Sequence, residues 1–327
     1  MGAHARFSPS SSSRYLNCPP ALLLEEQFED EQSPYAAEGS AGHRMAEYLI
    51  NKHLKRRDKR PVSDYYSDEL LEAVDDYVAY VIGQIEEAKR ICSSPVFAVE
   101  QRVDLRWYVQ DCFGTADMVI ITDKKIQIID LKLGKGVMVD AEENVQLMIY
   151  GLGVLDMADM LFDIETVELT IEQPRLEHFS TWEISAEELR TWGKEVLEPR
   201  AKMALSGEGE FKAGDHCRFC KARFQCRARA EEFLKLAQME FKAPPLLTDD
   251  EIAEVLKVAD ELAKWSADVY AYAQDEAVTK GKKWAGFKLV EGRSNRKYKD
   301  EEEVAQAAQK AGYTDIYKKT LIGITEM

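Results

Sequence analysis

The chain has 327 residues and a mass of 37.2 kDa, with 45% hydrophobic and 31% charged residues. This balance is typical of a globular protein with one large or two modest domains, and it excludes a collagenous, low-complexity or disulfide-stapled miniprotein. The sequence lacks a run of roughly 18 apolar residues and the apolar segment of a secretory signal. We therefore expect a cytoplasmic protein with no membrane contact.

The formal net charge is −16, from 43 Lys and Arg against 59 Asp and Glu. Such a charge argues against a protein that coats nucleic acid nonspecifically, although an enzyme acting on DNA needs only a local basic channel. Two basic clusters are candidates for that channel, and each fits a solvated loop equally well. They comprise Lys55, Arg56, Arg57, Lys59 and Arg60, and then Lys280, Lys282, Lys283, Lys288, Arg293, Arg296, Lys297 and Lys299.

The N-terminal part of the chain is predicted to be helical. Several serines can cap a short first helix that carries Cys18. A second helix is expected to begin near Glu38 and to carry His43, and a third covers about 67–91. Together these elements form an N-terminal helical segment over residues 1–95.

Strand patterns follow Pro95. Residues 96–105 alternate between apolar and polar side chains, and residues 113–122 and 125–133 are two β-rich runs joined by a two-residue turn. The two runs are therefore predicted to form a β-hairpin.

The register of this hairpin brings two acidic residues together. With the turn at 123–124, equal steps outward place Asp117 opposite Asp130. Side chains alternate along a strand, so Lys132 lies on the same face as Asp130. Carboxylates with Cβ atoms roughly 5 Å apart destabilise a strand pair unless a cation lies between them. The pattern predicts a metal site; the alternative is a pair of frayed strand ends with an ordinary surface ion pair.

The rest of the core is predicted to be α/β. A helix over about 141–156 places Gln146 and Tyr150, four residues apart, on one face. A strand is expected over 166–172 and a helix over 185–206. With the hairpin, these elements define a core region that covers residues 96–244 and includes a cysteine cluster at its end.

The sequence pattern changes after residue 244. A capping box that begins at Thr248 starts a long amphipathic helix. Residues 284–290 fit a strand and residues 300–311 a final helix. We therefore predict a small C-terminal α+β arm over 245–327, helical and basic in character.

Four of the six cysteines have the spacing of a metal site. Cys217, Cys220 and Cys226 are separated by two and five residues, and Cys18 lies far upstream. Four thiolates can hold a tetrahedral zinc ion or a [4Fe–4S] cluster, and the spacing alone leaves both open. The remaining two are expected to be small buried hydrophobic side chains: Cys92 and Cys112.

Four short motifs occur in order along the chain: Glu38-Gly-Ser-Ala-Gly-His43, Gly114-Thr-Ala-Asp117, Asp130-Leu-Lys132 and Gln146-x3-Tyr150. Their order resembles that of the PD-(D/E)xK nuclease superfamily, in its RecB-like and Cas4-like branch. The arrangement of one upstream cysteine and three downstream cysteines is similar to that of the iron–sulfur members of that branch. The N-terminal serine-rich phrase up to Pro19 also resembles a phage-associated family of uncharacterised function, DUF2800. The resemblance covers about residues 8–230.

The resemblance implies a restriction-endonuclease-like fold, a mixed central sheet flanked by helices, with a helical region stapled by the iron–sulfur cluster. It implies Mg²⁺ or Mn²⁺ held by His43, Asp117, Asp130 and the carbonyl of Leu131. Lys132 would act on the attacking water and the developing charge, and Gln146 and Tyr150 would hold the DNA backbone. The implied cluster ligands are Cys18, Cys217, Cys220 and Cys226. Glu100 fits a further metal ligand or an exposed strand carboxylate.

The resemblance therefore implies a metal-dependent DNA nuclease, an exonuclease that processes DNA ends in phage recombination or replication. The kind of family implies a single-strand annealing protein as a partner besides DNA. The alternatives are a noncatalytic iron–sulfur protein that binds DNA ends and a Cas4-like structure-selective or trimming endonuclease. Asp117, Asp130 and Lys132 are all present, which favours an enzyme, since a degenerate relative is expected to have lost at least one.

Overall fold

The protein, as a computed structural model, is described over residues 5–28, 34–237, 249–290, 301–314 and 316–317. Its strands are β1 (Val96–Asp104), β2 (Phe113–Ile121), β3 (Lys125–Leu131), β4 (Thr166–Gln173) and β5 (His178–Ser185). In these ranges the α-helices are α1 (Ser12–Asn17), α2 (Ala21–Glu25), α3 (Pro34–His53), α4 (Asp68–Ile91), α5 (Val145–Ala158), α6 (Ala186–Trp192), α7 (Glu198–Ser206), α8 (Arg227–Ala237), α9 (Asp249–Thr279) and α10 (Glu301–Lys310). The chain divides into two compact units, Met1–Val269 and Tyr270–Met327.

The five strands form one mixed sheet in the order β1-β2-β3-β4-β5. Neighbouring strands are antiparallel except β3 and β4, which are parallel and are connected through α5. A parallel pair needs such a crossover, because the chain must return to the same edge before it starts the next strand. The prediction of an α/β fold with a mixed sheet flanked by helices is confirmed.

Each face of the sheet is covered by helices. One layer is formed by α3 and α4, whose buried cluster includes Ile50, Val74, Tyr77, Ile129 and Leu131. The other is formed by α5, α6 and α7, whose buried cluster includes Ile126, Ile128, Leu152, Leu169 and Leu197. Burial of one such aliphatic side chain stabilises the fold by about 1.5–3 kcal/mol. β3 is the central strand of the sheet and contributes side chains to both clusters. Burial on both faces explains its nearly continuous apolar sequence.

The predicted hairpin register is confirmed. Ile121 pairs with Ile126 and Met118 with Ile129, and the amide of Thr122 donates a hydrogen bond to the carbonyl of Lys125. The two-residue turn fixes this register. A slip by one residue would turn every side chain of the strand to the opposite face.

Two predictions about strands need correction. The edge strand β5 was not predicted, although its side chains alternate between half-buried and exposed. In the C-terminal arm the strand predicted over 284–290 is wrong, because residues 281–290 form irregular structure and one turn. The described part of the arm also contains the helices α9 and α10. Thr248 and residues 291–300, with the basic residues predicted within that range, lie outside the described residues.

The remaining helix predictions agree with the structure. Ser67 accepts a hydrogen bond from the amide of Leu70 and caps α4, and Ser185 forms a capping box with Glu188 at the start of α6. The helical stretch over 185–206 contains one π turn at Gly193–Leu197. Among the described helices, none combines the length and the apolar character that a membrane span requires.

Candidate functional site

The site begins where β2 and β3 separate. Their pairing ends at Met118 and Ile129, one step before Asp117 and Asp130 would face each other. At that step the amide of Leu131 donates a hydrogen bond of 2.8 Å to Oδ2 of Asp117, so a side chain replaces the backbone carbonyl as acceptor. The strands are therefore joined by an aspartate at the point where they diverge, and the aspartate keeps its second oxygen for another partner.

Two further side chains lie close to Asp117. Nδ1 of His43 lies 3.1 Å from Oδ1 of Asp117. His43, Glu100 and Asp117 each offer one ligand atom, and these atoms all lie within 4.8 Å of one another. Throughout the described ranges, no other set of three or more His, Cys, Asp or Glu residues meets this spacing. We call this group the ligand triad.

The backbone of β1 is unusual at Glu100. Its φ is +48°, in the left-handed region that non-glycine residues adopt only at a cost of about 1–3 kcal/mol. Val99 packs in the cluster under α3 and α4, whereas Val103 packs in the cluster under α5, although residues four apart share a face in a regular strand. The alternation of faces therefore breaks between them, and the pairing of β1 with β2 skips Glu100 and Asp117.

A close contact brings α3 to the site. Gly42 directly precedes His43, and a Cβ atom on Gly42 would lie 2.2 Å from Cδ1 of Leu133. With a larger side chain, either the Leu133 side chain or the helix would have to move. The glycine before His43 therefore permits the close packing of α3 against the segment that follows Lys132.

Arg175, which follows β4, holds α3 and the segment after β3 together. Its side chain is only 3% exposed, and it donates hydrogen bonds to the carbonyl of Leu133 (3.1 Å) and to Oε1 of Glu38 (2.7 Å) on α3. One guanidinium thus connects the helix that carries His43 with the segment that follows Lys132. Its Nε has no hydrogen-bond partner, which marks a group held under constraint.

Replacement of Arg175 by alanine should weaken Mn²⁺ binding by about 10-fold and lower the free energy of unfolding by about 2 kcal/mol. The reason is that His43 loses its fixed position relative to Asp117. Calorimetric titration with Mn²⁺ measures the first effect and urea unfolding the second. Arg190→Ala breaks an ion pair with Asp156 in the other helical layer, so it should lower stability without changing Mn²⁺ affinity.

A second group lies beside the triad. Asp130 is buried, and Nζ of Lys132 lies 2.8 Å from its Oδ2 in an ion pair whose geometry is not that of a hydrogen bond. Lys132 donates to Oε1 of Gln146 (3.1 Å), and Nε2 of Gln146 lies 3.4 Å from both Asp130 Oδ1 and the Tyr150 hydroxyl. Gln146 therefore links the acid, the amine and the phenol.

The charges of these groups act on one another. Burial disfavours protonated His43, but the Asp117 carboxylate outweighs it and raises the pKa of His43 to about 9. Burial and the like charge of Asp117 raise the pKa of Glu100 to about 7. Burial also raises the pKa of Asp130, against the opposing charge of Lys132, whose own pKa is raised because Asp130 outweighs its burial. The carboxylates therefore create a negative potential that favours a cation at this site.

Metal binding to the triad should release protons. Without a metal ion His43 is mostly protonated at pH 7 and Glu100 is half protonated, whereas a ligand must be deprotonated. We expect more than one proton per Mn²⁺ and an affinity that falls as the pH falls below about 9. Titration calorimetry in buffers of different ionisation enthalpy measures this number. Heats that do not depend on the buffer would contradict the expectation.

The glycine of the Gly114-Thr-Ala-Asp117 motif joins the N-terminal segment to the site. A Cβ on Gly114 would lie 2.8 Å from Pro9 and 3.0 Å from Cε1 of Tyr150. Phe7 forms a β-bridge with Cys112, just before β2. The segment that leads to Cys18 therefore lies directly on the strand that carries Asp117.

The four predicted cluster cysteines line one pocket, which we call the cysteine pocket. Cys18, at the end of α1, meets Cys217, Cys220 and Cys226 from the segment before α8. All four are free thiols, and burial raises the pKa values of Cys18 and Cys217, and that of Cys220 to about 12. Basic residues share the pocket wall: Arg14, Lys212 and Arg223.

Polar contacts beside this pocket join the same two segments. Glu25 of α2 is buried, pairs with Arg14 (2.9 Å) and accepts a hydrogen bond of 2.8 Å from the amide of Lys221. Lys221 follows Cys220 directly. The N-terminal segment and the cysteine-rich segment are therefore already in contact through protein groups.

The structure brings together the predicted residues His43, Asp117, Asp130, Lys132, Gln146 and Tyr150 in one region. It differs from the implied ligand set in two respects. Glu100, which the sequence left open between a metal ligand and an exposed carboxylate, takes the place of Asp130 beside His43 and Asp117, and Leu131 contacts Asp117 through its amide.

Comparison with known proteins gives a family. The family described as a protein of unknown function, DUF2800, matches residues 4–327. The chain belongs to the DUF2800 family. A solved structure described as "Crystal structure of SSO0001" is 16% identical to this DUF2800 protein, over 57% of this chain and 95% of that one, with a TM-score of 0.26. A likeness at that score carries no argument about the fold or the function.

Proposed function

We propose that this DUF2800 protein is a metal-dependent DNA nuclease with a restriction-endonuclease-like core, and that it acts as an exonuclease on DNA ends. The observation that carries the proposal is the ligand triad of His43, Glu100 and Asp117 beside the buried Asp130–Lys132 pair, at the point where β2 and β3 separate. The order of the sequence motifs supports the same reading.

The donor set fits a divalent cation. Two carboxylates and one imidazole nitrogen suit Mn²⁺ or Mg²⁺, with the nitrogen favouring Mn²⁺. Asp130 lies beside this donor set and adds negative charge there, although its Oδ2 is 2.8 Å from the Lys132 ammonium. When bound, the ion would neutralise charge on the phosphodiester and lower the pKa of a bound water.

The other residues have roles set by their contacts. Lys132 keeps its proton because Asp130 stabilises the ammonium, so it offers a fixed positive charge to the phosphoryl oxygens. Gln146 holds Lys132 and Asp130 in place through its two amide atoms. Tyr150 is buried against Gly114 and fixes Gln146 from the other side.

We also propose that the cysteine pocket holds a [4Fe–4S] cluster that staples the N-terminal segment to the end of the core. The four thiols line one pocket, and four thiolates suit a [4Fe–4S] cluster or a tetrahedral zinc ion. The resemblance of the cysteine spacing to the iron–sulfur members of the RecB-like branch favours the cluster. Arg14, Lys212 and Arg223 would balance its negative charge.

The test is digestion of end-labelled linear DNA and of covalently closed circular DNA with Mn²⁺, Mg²⁺ or EDTA. The proposal predicts metal-dependent loss of linear DNA from its ends while the circle survives. Cleavage of the circle, or cuts only at flaps and junctions, would make the protein an endonuclease of the Cas4-like kind. Metal-dependent binding without cleavage would make it a noncatalytic DNA-end-binding protein.

A further inference from the structure

The first basic cluster forms a loop whose only acidic residue is turned inward. Residues 55–60, which we call the basic loop, follow α3 directly, and Lys55 leaves the helix in a left-handed conformation with a φ of +57°. Read from the sequence alone, Asp58 could neutralise its basic neighbours. The structure shows that it does not.

Asp58 is bound by side chains of α3. Its two oxygens lie 2.5 and 3.0 Å from the guanidinium of Arg44, and Asn51 donates a further hydrogen bond of 3.2 Å. The Asp58 side chain is only 12% exposed. A bidentate pair of this kind fixes both position and orientation. The acid therefore acts as an anchor for the loop, not as a counterion for the loop's own cations.

Of the five basic side chains of the loop, one is a second anchor and four are unpaired. Arg56 donates a hydrogen bond of 2.7 Å to the carbonyl of Phe97 on β1 and so fastens the loop a second time. Four exposed cations, Lys55, Arg57, Lys59 and Arg60, make no ion pair with any described residue. In a chain with a net charge of −16 this is an unusual local concentration of unpaired positive charge. Since salt screens charges beyond about 8 Å, the loop and not the net charge decides what binds here.

Both anchors lie close to the ligand triad. Arg44 is the residue after His43, and Phe97 is three residues before Glu100, which places it about 10 Å from Glu100 along β1. A nucleic acid strand advances about 3.4 Å per nucleotide along its axis, so Phe97, to which Arg56 of the loop is bound, lies about three nucleotides from Glu100.

We propose that the basic loop binds the phosphate backbone of a DNA strand about three nucleotides from the bond that is cut. This inference rests on the proposed nuclease function and adds to it the surface that holds the substrate. The charge complementarity, the two anchors and the distance to the triad all point to the same partner, a polyanionic strand that passes over His43.

The experiment measures DNA binding and its dependence on salt. Fluorescence anisotropy with a labelled blunt duplex, in Ca²⁺, compares the wild-type protein with the triple variant Arg57→Gln, Lys59→Gln, Arg60→Gln. We expect the variant to bind about 10-fold more weakly, and the slope of log K against log salt to be smaller by about 2 to 3.

A matched control removes the same charge elsewhere. Lys194, Arg200 and Lys202 are exposed and lie in the helical layer on the opposite face of the sheet. Their triple substitution by glutamine should leave the affinity and the salt slope within about twofold of the wild type. Equal affinity and equal slope for the wild type and the loop variant would overturn the inference.

Cleavage with Mn²⁺ on the same preparations separates this inference from the proposed function. If the wild type binds DNA through the loop but does not cut it, the nuclease proposal fails and the loop assignment stands. If the wild type cuts DNA and the loop variant binds and cuts equally well, the loop assignment fails alone.

Discussion

Replacement of Asp130 by asparagine should abolish DNA cleavage, with a loss of at least about 10³-fold in rate. The carboxylate is buried and provides the charge that stabilises the Lys132 ammonium and faces the ligand triad. Asparagine keeps the shape but removes that charge, so a buried cation loses its counterion. Single-turnover cleavage of end-labelled linear DNA in Mn²⁺ measures the rate.

Asp156→Asn is the matched control for this variant. Asp156 lies on α5, the helix that carries Gln146 and Tyr150, but it pairs with Arg190 away from the triad. Its cleavage rate should stay within about twofold of the wild type. Equal rates for the wild type and Asp130→Asn would remove Asp130 from the reaction, whatever the stability of the two proteins.

Replacement of Cys217 by serine should remove visible absorbance from the purified protein and lower its melting temperature by more than about 5 °C. Cys217 is buried in the cysteine pocket, where Cys18 from the N-terminal segment also lies. Loss of one of four ligands opens the link between these two segments. Because the N-terminal segment packs on Gly114 of β2, cleavage should fall as a secondary effect.

Cys92→Ser tests whether the effect belongs to the pocket. Cys92 is buried too, but it follows α4 and its Sγ lies 3.4 Å from Oδ1 of Asp123. This variant should keep its colour. A colourless, fully active wild-type protein with one zinc ion per chain would contradict the iron–sulfur cluster. The cysteine pocket would then still link the N-terminal segment to the end of the core, through zinc.

The hairpin site could be predicted because its geometry is local. A two-residue turn fixes the register as far as Met118 and Ile129, and Asp117 and Asp130 are the next residues outward. Helical spacing places Gln146 and Tyr150 on one face of α5. These two arguments need only the distance along the sequence, whereas the contact of Gln146 with Lys132 depends on how α5 packs on the sheet.

The part that could not be predicted depends on long-range packing. Nothing in the local sequence shows that Glu100 adopts a positive φ, or that Arg175 reaches both Glu38 and Leu133 across the sheet. Edge strand β5 was missed because its inward side chains are only half-buried and Phe179 lies on the exposed face, which weakens the alternation of apolar and polar residues.

The most direct test of the site is a crystal soaked in Mn²⁺ and measured at the manganese absorption edge. The ligand triad predicts one anomalous peak in contact with His43, Glu100 and Asp117, and its loss in Asp117→Asn. A peak elsewhere, or no peak at saturating Mn²⁺ in crystals that diffract well, would contradict a metal centre at the separation of β2 and β3.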